Sequence, residues 1–313
     1  MDGVVKTNKN VIVITGPTGS GKTDLALKLS DYADIEIISA DSRQIYKFMN
    51  IGTAKPKPEE LAKVKHHLID YLAPNEDFSA GKFAVYANEH INNIIQNGKI
   101  PVVVGGTGFY IKALFDGLSE IDENNSDEAK AIRNKYEQIL KNKDKDYLYK
   151  LLLDVDIESA LKYKDKNPRR IIRALEYFEL TNEKFSSKFG SEKPSEFIPQ
   201  YYVINPAREE LYKKINDRTE AMFKNGLIKE TVDIIEMDFS PDLNSLNTVG
   251  YKECISMIFG EITIEKAIEL TKQNTRKYAK RQITWLNQIT KYREFARTTT
   301  LLIQEIINTY HKF

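Results

Sequence analysis

Along the first hundred residues, short unbroken apolar runs alternate with stretches whose apolar positions recur at helical spacing. Val11 to Thr15 is apolar at nearly every position, which predicts a buried strand, and it runs straight into a glycine-rich turn. Leu25, Ala26 and Leu29 then share one face of a helix predicted over Asp24 to Asp31. Ile35 to Ala40 predicts a second strand and Leu68 to Tyr71 a third. Ser79 suits the N-cap of a long helix ending near Asn97-Gly98, where the glycine supplies a left-handed C-cap. Ile100 to Val104 is a further apolar strand, closed by Gly105-Gly106. Strands that are apolar throughout and alternate with helices bury both faces of a parallel sheet, so the fold class is α/β. In such a fold the ligand crevice lies at the carboxyl ends of the strands.

From Asp116 to about Pro199 the pattern changes to one rich in Lys, Asp, Glu and Asn, with Ile132, Tyr136, Ile139 and Leu140 at helical spacing. This predicts a helical insertion domain over 117–199, set into a core formed by 9–116 and 200–313. Phe185 to Pro199, with Gly190 and Pro194, reads as a return connection, and Tyr201 to Ile204 as a late strand rejoining the sheet. From Arg208 the pattern is helical to the end of the chain.

Composition narrows the class. Hydrophobic residues make up 41% and charged residues 29%, ordinary values for a water-soluble domain. No apolar stretch is long enough to span a bilayer, and Val11 to Ile14 is too short for the apolar region of a signal peptide. A cytoplasmic address, away from membranes, is the expectation. Cys254 is the single cysteine, which excludes an internal disulfide and is expected as a small buried residue on a helix. The net charge of +1 gives no overall attraction to nucleic acid, so any such role rests on local clusters.

The strongest chemical signal is Gly16-Pro17-Thr18-Gly19-Ser20-Gly21-Lys22-Thr23, a complete phosphate-binding loop between a buried strand and a helix. Its glycines let successive N–H groups turn inward on a phosphate chain, and the helix N-terminus adds partial positive charge. Lys22 brings a point charge to the terminal phosphates, and the Thr23 hydroxyl suits Mg²⁺. This predicts a polyphosphate or diphosphate site in a P-loop NTPase-like sheet, without saying what is transferred. Asp41, at the end of the second strand, fits a metal ligand, a catalytic base or the cap of the following turn. Thr107, after Gly105-Gly106, brings a hydroxyl to the same crevice or is a turn residue.

The loop Gly16 to Thr23, Asp41-Ser42-Arg43-Gln44-Ile45-Tyr46, Ile51-Gly52-Thr53-Ala54-Lys55-Pro56, His67-Leu68-Ile69-Asp70 and Gly105-Gly106-Thr107-Gly108-Phe109-Tyr110 together resemble the tRNA dimethylallyltransferases. Asn167-Pro168-Arg169-Arg170-Ile171-Ile172-Arg173, Gly226-Leu227, Val249-Gly250-Tyr251-Lys252-Glu253 and Thr275 to Trp285 continue the resemblance in order, from about Val11 to Trp285. It implies transfer of a dimethylallyl group from dimethylallyl diphosphate to the exocyclic amine of the adenosine 3′ to the anticodon in tRNA. It assigns Asp41 as the base, Thr107 as a contact to diphosphate or amine, and Lys22 and Arg218 as partners of the leaving group, with Mg²⁺ at Thr23. It also implies an RNA surface of Asp41, Ser42, Arg43, Gln44, Thr107, Arg133, Arg169, Arg170, Ile171, Ile172, Arg173, Arg276, Lys280 and Arg281, holding the anticodon stem-loop to a monomeric enzyme. Lys214 stands where the family often has arginine, a weaker choice for bidentate contact. The zinc finger of eukaryotic relatives is missing, so the bacterial form is the one resembled.

Arg276 with Lys280, and Lys277 with Arg281, are four apart and predict one basic helix face, with Tyr278 and Trp285 interleaved. The plainer alternative is a solvated face with both aromatics in the core. Three other functions compete: a P-loop kinase of small molecules using ATP, an isopentenyltransferase acting on free adenine nucleotides, and a nucleotide-gated RNA-binding switch. The insertion and basic tail argue against a mononucleotide acceptor, which needs no such surface.

Overall fold

The computed structural model describes residues 9–118, 126–289 and 299–310. It divides into a sheet-centred unit (1–115 and 195–313) and a second unit formed by 116–194. The sheet-centred unit resumes at Ser195, ahead of the boundary at residue 200 that the sequence predicts.

The first unit begins β1 (Asn10–Thr15), α1 (Lys22–Leu29), β2 (Ile35–Ser39), α2 (Pro58–Lys63), β3 (His66–His67), α3 (Ala80–Gln96), β4 (Ile100–Gly105) and α4 (Gly108–Phe115). The second unit holds α5 (Asp127–Asn142), α6 (Lys145–Val155), α7 (Ile157–Lys162) and α8 (Pro168–Thr181). The chain then re-enters through β5 (Ile198–Val203) and continues as α9 (Arg208–Lys224), α10 (Leu227–Glu236), α11 (Tyr251–Ile258), α12 (Ile264–Ile289) and α13 (Thr299–Tyr310). The expectation of helix to the very end falls partly outside the described residues.

Among the described residues the five strands are all parallel, in the order β3-β2-β4-β1-β5. Ile12 and Ile37 both pair with Val102, so β4 is the rung between the two strands that carry the chemistry. One face buries Ile12, Ile14, Val102 and Ile37 under Leu25 and Leu29 of α1 and Leu302, Ile303 and Ile306 of α13. The alternate positions Val11, Val13, Ile38 and Val103 are equally buried, as a sheet covered on both faces requires. Gly105 has no room for a side chain: a Cβ there would run into the Ala40 carbonyl. That close approach, with Thr107 N donating to Ala40 O at 3.1 Å, sets the end of β4 against the end of β2.

Several boundaries differ from the pattern. α1 begins at Lys22, because the loop's own lysine and threonine form its first turn. β3 is the pair His66–His67 and not Leu68 to Tyr71, since Leu68 and Asp70 take left-handed backbone angles (φ 61° and 51°) that end extended pairing. β5 starts at Ile198, three residues before the expected Tyr201, and pairs with β1 along its whole length. Ser79 caps α3 as expected, its hydroxyl accepting from Lys82 N at 3.1 Å. Cys254 is fully buried on α11, where burial pushes its thiol up to about 12, so it is inert.

The second unit packs its own core from Tyr136, Leu148, Leu152, Ile171, Ile172, Leu175 and Phe185. Ile171 is 0% and Ile172 7% exposed, so the side chains of these two expected RNA-contacting residues face that unit's core. The helix that presents arginines outward must anchor itself by turning these two isoleucines inward.

Candidate active site

Three loops meet where β1, β4 and β2 end, around a cavity of about 480 Å³. Thr18, Gly19, Gly21, Lys22 and Thr23 form one wall, Asp41 and Gln44 a second, and Gly105 and Gly106 the floor, with Arg218 and Gln282 entering from α9 and α12. The phosphate loop is made by backbone angles few side chains tolerate: Gly19 and Gly21 take φ 81° and 91°. Within it Lys22 Nζ donates to Pro17 O at 2.9 Å, which draws the ammonium over the loop. Among the described residues, Ser20 Oγ is the one buried side-chain polar atom with no hydrogen-bond partner. A buried hydroxyl without a partner inside such a loop marks a place for a ligand oxygen or cation.

Electrostatics tie the loop to its surroundings. Burial lowers the Lys22 ammonium to about 8, the Asp41 carboxylate pulls the other way, and the Arg218 guanidinium pushes it down further. Arg218 is itself lowered by burial and supported by Asp41. It donates from Nη2 to Thr18 Oγ1 at 2.6 Å, which aims its charge at the loop. Lys22, Arg218 and Asp41 therefore share one field in one cavity, as expected from the sequence.

Asp41 also shows that two of its three sequence readings are compatible. Its Oδ1 accepts from Arg43 N at 2.8 Å and Gln44 N at 3.3 Å, so it does cap the turn that follows β2. Among the described residues Oδ2 takes no hydrogen bond and remains available to a substrate. Thr107 Oγ1 accepts from Ser42 N at 3.1 Å, which joins the β4 loop to the Asp41 turn. Gln44 is used internally: its amide donates to Thr53 O and Ala54 O at 3.3 and 3.2 Å, and its Oε1 accepts from Ser39 Oγ. Arg43 Nη1 donates to Asn244 O at 2.7 Å, leaving its remaining donors for a partner.

Two residues of α12 belong to the site although the sequence pattern assigns neither a role in it. Gln282, 7% exposed, accepts from Thr18 N at 2.8 Å and donates to Gly106 O at 2.9 Å, so one side chain clamps two of the three loops. Tyr278, pushed up to about 12 by burial and by the nearby Asp41, keeps its proton, with Thr107 close enough to offset part of that rise. Tyr278, Gln282 and Trp285 are spaced four and three apart on one helix face, and that spacing is the available signal. Trp285 packs so closely on Gly108 that no side chain fits there.

The basic face of α12 is narrower than its spacing predicts. Lys272 pairs with Glu220, and Arg276, half-buried, donates to Asn216 Oδ1 at 2.6 Å and lies over the Tyr212 ring. The exposed cations are Lys277, Lys280 and Arg281, which with Thr284 and Trp285 line a shallow cavity. In the second unit, Arg169, Arg170 and Arg173 are exposed on α8. Arg133 instead makes a two-pronged pair with Glu176, at 3.0 and 2.7 Å, within that unit. Lys214 lines the main cavity and pairs with Glu210 one turn back.

The chain is similar to known proteins along most of its length. A family model described as IPP transferase matches residues 44–289. A tRNA dimethylallyltransferase of Acetivibrio thermocellus is 41% identical over 90% of this chain and 89% of its own length. One from Alkaliphilus oremlandii is 38% identical over 90% and 89%. Among solved structures, a tRNA isopentenylpyrophosphate transferase from Staphylococcus epidermidis superposes with TM-score 0.69 at 35% identity, covering 97% of this chain and 99% of that one. A eukaryotic dimethylallyltransferase acting on tRNA gives TM-score 0.72 at 30% identity, over 89% of this chain and 70% of its own.

Proposed function

The chain belongs to the tRNA dimethylallyltransferase family, and on that premise we propose that it joins the dimethylallyl group of dimethylallyl diphosphate to the exocyclic amine of the adenosine 3′ to the anticodon, releasing diphosphate and leaving isopentenyladenosine in tRNA. The observation that carries the reading is the single cavity in which Lys22 and Arg218 face Asp41. A diphosphate leaving group needs inward N–H groups and fixed positive charge, and the loop with Lys22 and Arg218 supplies both. As the allylic carbon–oxygen bond breaks, charge gathers on oxygen beside those groups. The amine's lone pair is delocalised into the ring, so nucleophilicity depends on a base that takes its proton as the carbon–nitrogen bond forms. Asp41 Oδ2 is that base, while Oδ1 stays engaged with Arg43 N and Gln44 N to hold the carboxylate's angle. Thr107, fixed by Ser42 N, lies beside it to orient the amine or an oxygen of the diphosphate.

A divalent cation fits this site in a particular way. Among the described residues no cluster of three His, Cys, Asp or Glu is able to hold a metal. Mg²⁺ is commonly held by few protein oxygens together with substrate phosphates and water. Thr23 Oγ1 and the partnerless Ser20 Oγ suit that donor set. When bound, the ion would neutralise charge on the leaving diphosphate.

The acceptor must be taken out of a stacked anticodon loop, which costs a few kcal/mol. Lys277, Lys280 and Arg281 beside Trp285, together with Arg169, Arg170 and Arg173 of the second unit, offer phosphate and base contacts that offset the cost. Lys22, Asp41, Thr107 and Arg218 lie within one chain, so the proposed chemistry needs no second copy, and a monomeric enzyme is proposed. No helix among the described residues is long and apolar enough to cross a membrane; action in the cytoplasm is proposed from tRNA as the substrate. Incubation with labelled dimethylallyl diphosphate and either tRNA or AMP tests the reading. Label in tRNA alone is the expected result; label in AMP, or ATP-dependent phosphorylation in its place, overturns it.

A further inference from the structure

Two of the sequence motifs, Ile51 to Pro56 and Val249 to Glu253, contribute no group to the proposed chemistry, yet the structure joins them. Glu230, on α10, turns its carboxylate into the turn after Met49. It accepts from Asn50 N at 3.0 Å, from Ile51 N at 2.9 Å and from Gly52 N at 3.2 Å. Tyr251 Oη donates to the same carboxylate at 2.6 Å. The Tyr251 ring, fully buried, lies against Gly52 so closely that a Cβ at Gly52 would enter the ring. A carboxylate that accepts three backbone N–H groups and a phenol is a strong, charge-assisted tie.

The turn so held is not in a relaxed conformation. Ala54 takes a left-handed backbone angle (φ 51°), which costs a residue with a side chain about 1 kcal/mol. Surrounding bonds must hold such a residue in place, and such residues often lie at functional sites. Here the carbonyls of Thr53 and Ala54 receive the Gln44 amide. Gln44 N in turn donates to Asp41 Oδ1, and Thr53, Ala54 and Asp41 line the same cavity. An unbroken series of bonds therefore runs from Tyr251 through Glu230, the 50–54 turn and Gln44 to the carboxylate of Asp41.

We infer that Glu230 is a positioning residue for the transfer reaction, acting through the 50–54 turn and Gln44 to fix the angle of Asp41. The inference rests on the reading of Asp41 as the base. A brace of this kind governs the chemical step and leaves the diphosphate cradle alone, because Lys22 and Arg218 are held by Pro17 and Thr18.

The test is kinetic. In Glu230→Gln one acceptor oxygen becomes an amide nitrogen facing backbone N–H groups, and the single-turnover transfer rate is expected to fall on the order of tenfold, the loss of one charge-assisted network. KM for dimethylallyl diphosphate stays within about twofold of wild type, since the loop's contacts are untouched. In a Gln44→Ala background the same change costs less than about twofold more, because residues acting through one path are not additive. Tyr251→Phe, which keeps the ring against Gly52 and removes one bond, shows the same pattern more weakly and serves if Glu230→Gln does not fold. A lowered melting temperature with unchanged transfer rate overturns the inference and leaves Glu230 a stabilising residue. Equal loss in both backgrounds overturns it too. Asp41→Ala, measured alongside, separates the two claims: if it turns over like wild type the base assignment fails, and if it alone loses turnover only the brace fails.

Discussion

The cavity at the strand ends and the 116–194 unit both carry arginines and lysines, but they use charge differently. In the cavity Lys22 and Arg218 are half-buried beside one carboxylate, and burial lowers both cations. In the second unit charge is answered locally: Arg133 by Glu176, Lys135 by Glu179, Lys166 by Asp146 and Arg170 by Asp165. The solvent-exposed pairs among them, such as Lys166 with Asp146 and Arg170 with Asp165, contribute about 0–1 kcal/mol each, while Glu176 is buried under its arginine. The difference teaches that burial, more than the number of charges, separates groups that act on bonds from groups that hold a partner.

Removing a charge on each side gives the largest contrast. Lys22→Ala is expected to reduce turnover by about 10³, the effect of losing a preorganised charge at the leaving group. Arg169→Ala with Arg173→Ala is expected to raise KM for tRNA while kcat holds, as removal of uniform binding does. Steady-state kinetics on both variants decides this, and equal reductions in kcat would erase the distinction.

Titration sharpens it next. As pH rises through about 8 the free enzyme loses the Lys22 ammonium, so kcat/KM for dimethylallyl diphosphate should fall by about tenfold per pH unit above that point. Bound diphosphate keeps the proton on, which moves the limb in kcat to higher pH. The effect on stability is opposite in sign to that of an ion pair. A lysine lowered by burial penalises the folded state while protonated, and that penalty is relieved as pH climbs from about 8 toward the ordinary 10.5. A pH profile of kcat/KM with no limb near 8 contradicts the burial of Lys22.

How much of this contrast is legible in the sequence follows from its physical origin. The phosphate loop, Asp41 and Thr107 are readable because backbone geometry allows few sequences there: glycines at left-handed angles, and Gly105 pressed on Ala40. The parallel sheet is readable from strands apolar at every position. Gln282 and the Glu230 brace are not, since each acts across more than 170 residues of chain to backbone atoms that carry no sequence signature. Arg276 is expected on the RNA face because helical spacing gives a direction but not the neighbour, Asn216, that captures it. Ile171 and Ile172 travel with a motif whose arginines face outward, and only packing separates the two sets.

Smaller effects test the RNA side. Lys280→Ala with Arg281→Ala should weaken tRNA binding several-fold and flatten its dependence on log salt by about 0.7 for each phosphate no longer neutralised. A slope equal to wild type places that face away from RNA. Arg133→Ala should destabilise the second unit by about 2 kcal/mol, because Glu176 is left buried without its two-pronged partner. Thermal unfolding measures that change, with kcat at low temperature expected to stay within about twofold.

We propose that the Asp41 carboxylate at the end of β2 takes the amine's proton in a cavity whose opposite wall holds the diphosphate. The most direct test is a single-turnover measurement on Asp41→Ala with tRNA and dimethylallyl diphosphate both bound. The account predicts wild-type affinity for both ligands and a transfer rate lower by about 10²–10⁴, the range for loss of a general base. Transfer at the wild-type rate from the fully bound complex would contradict it.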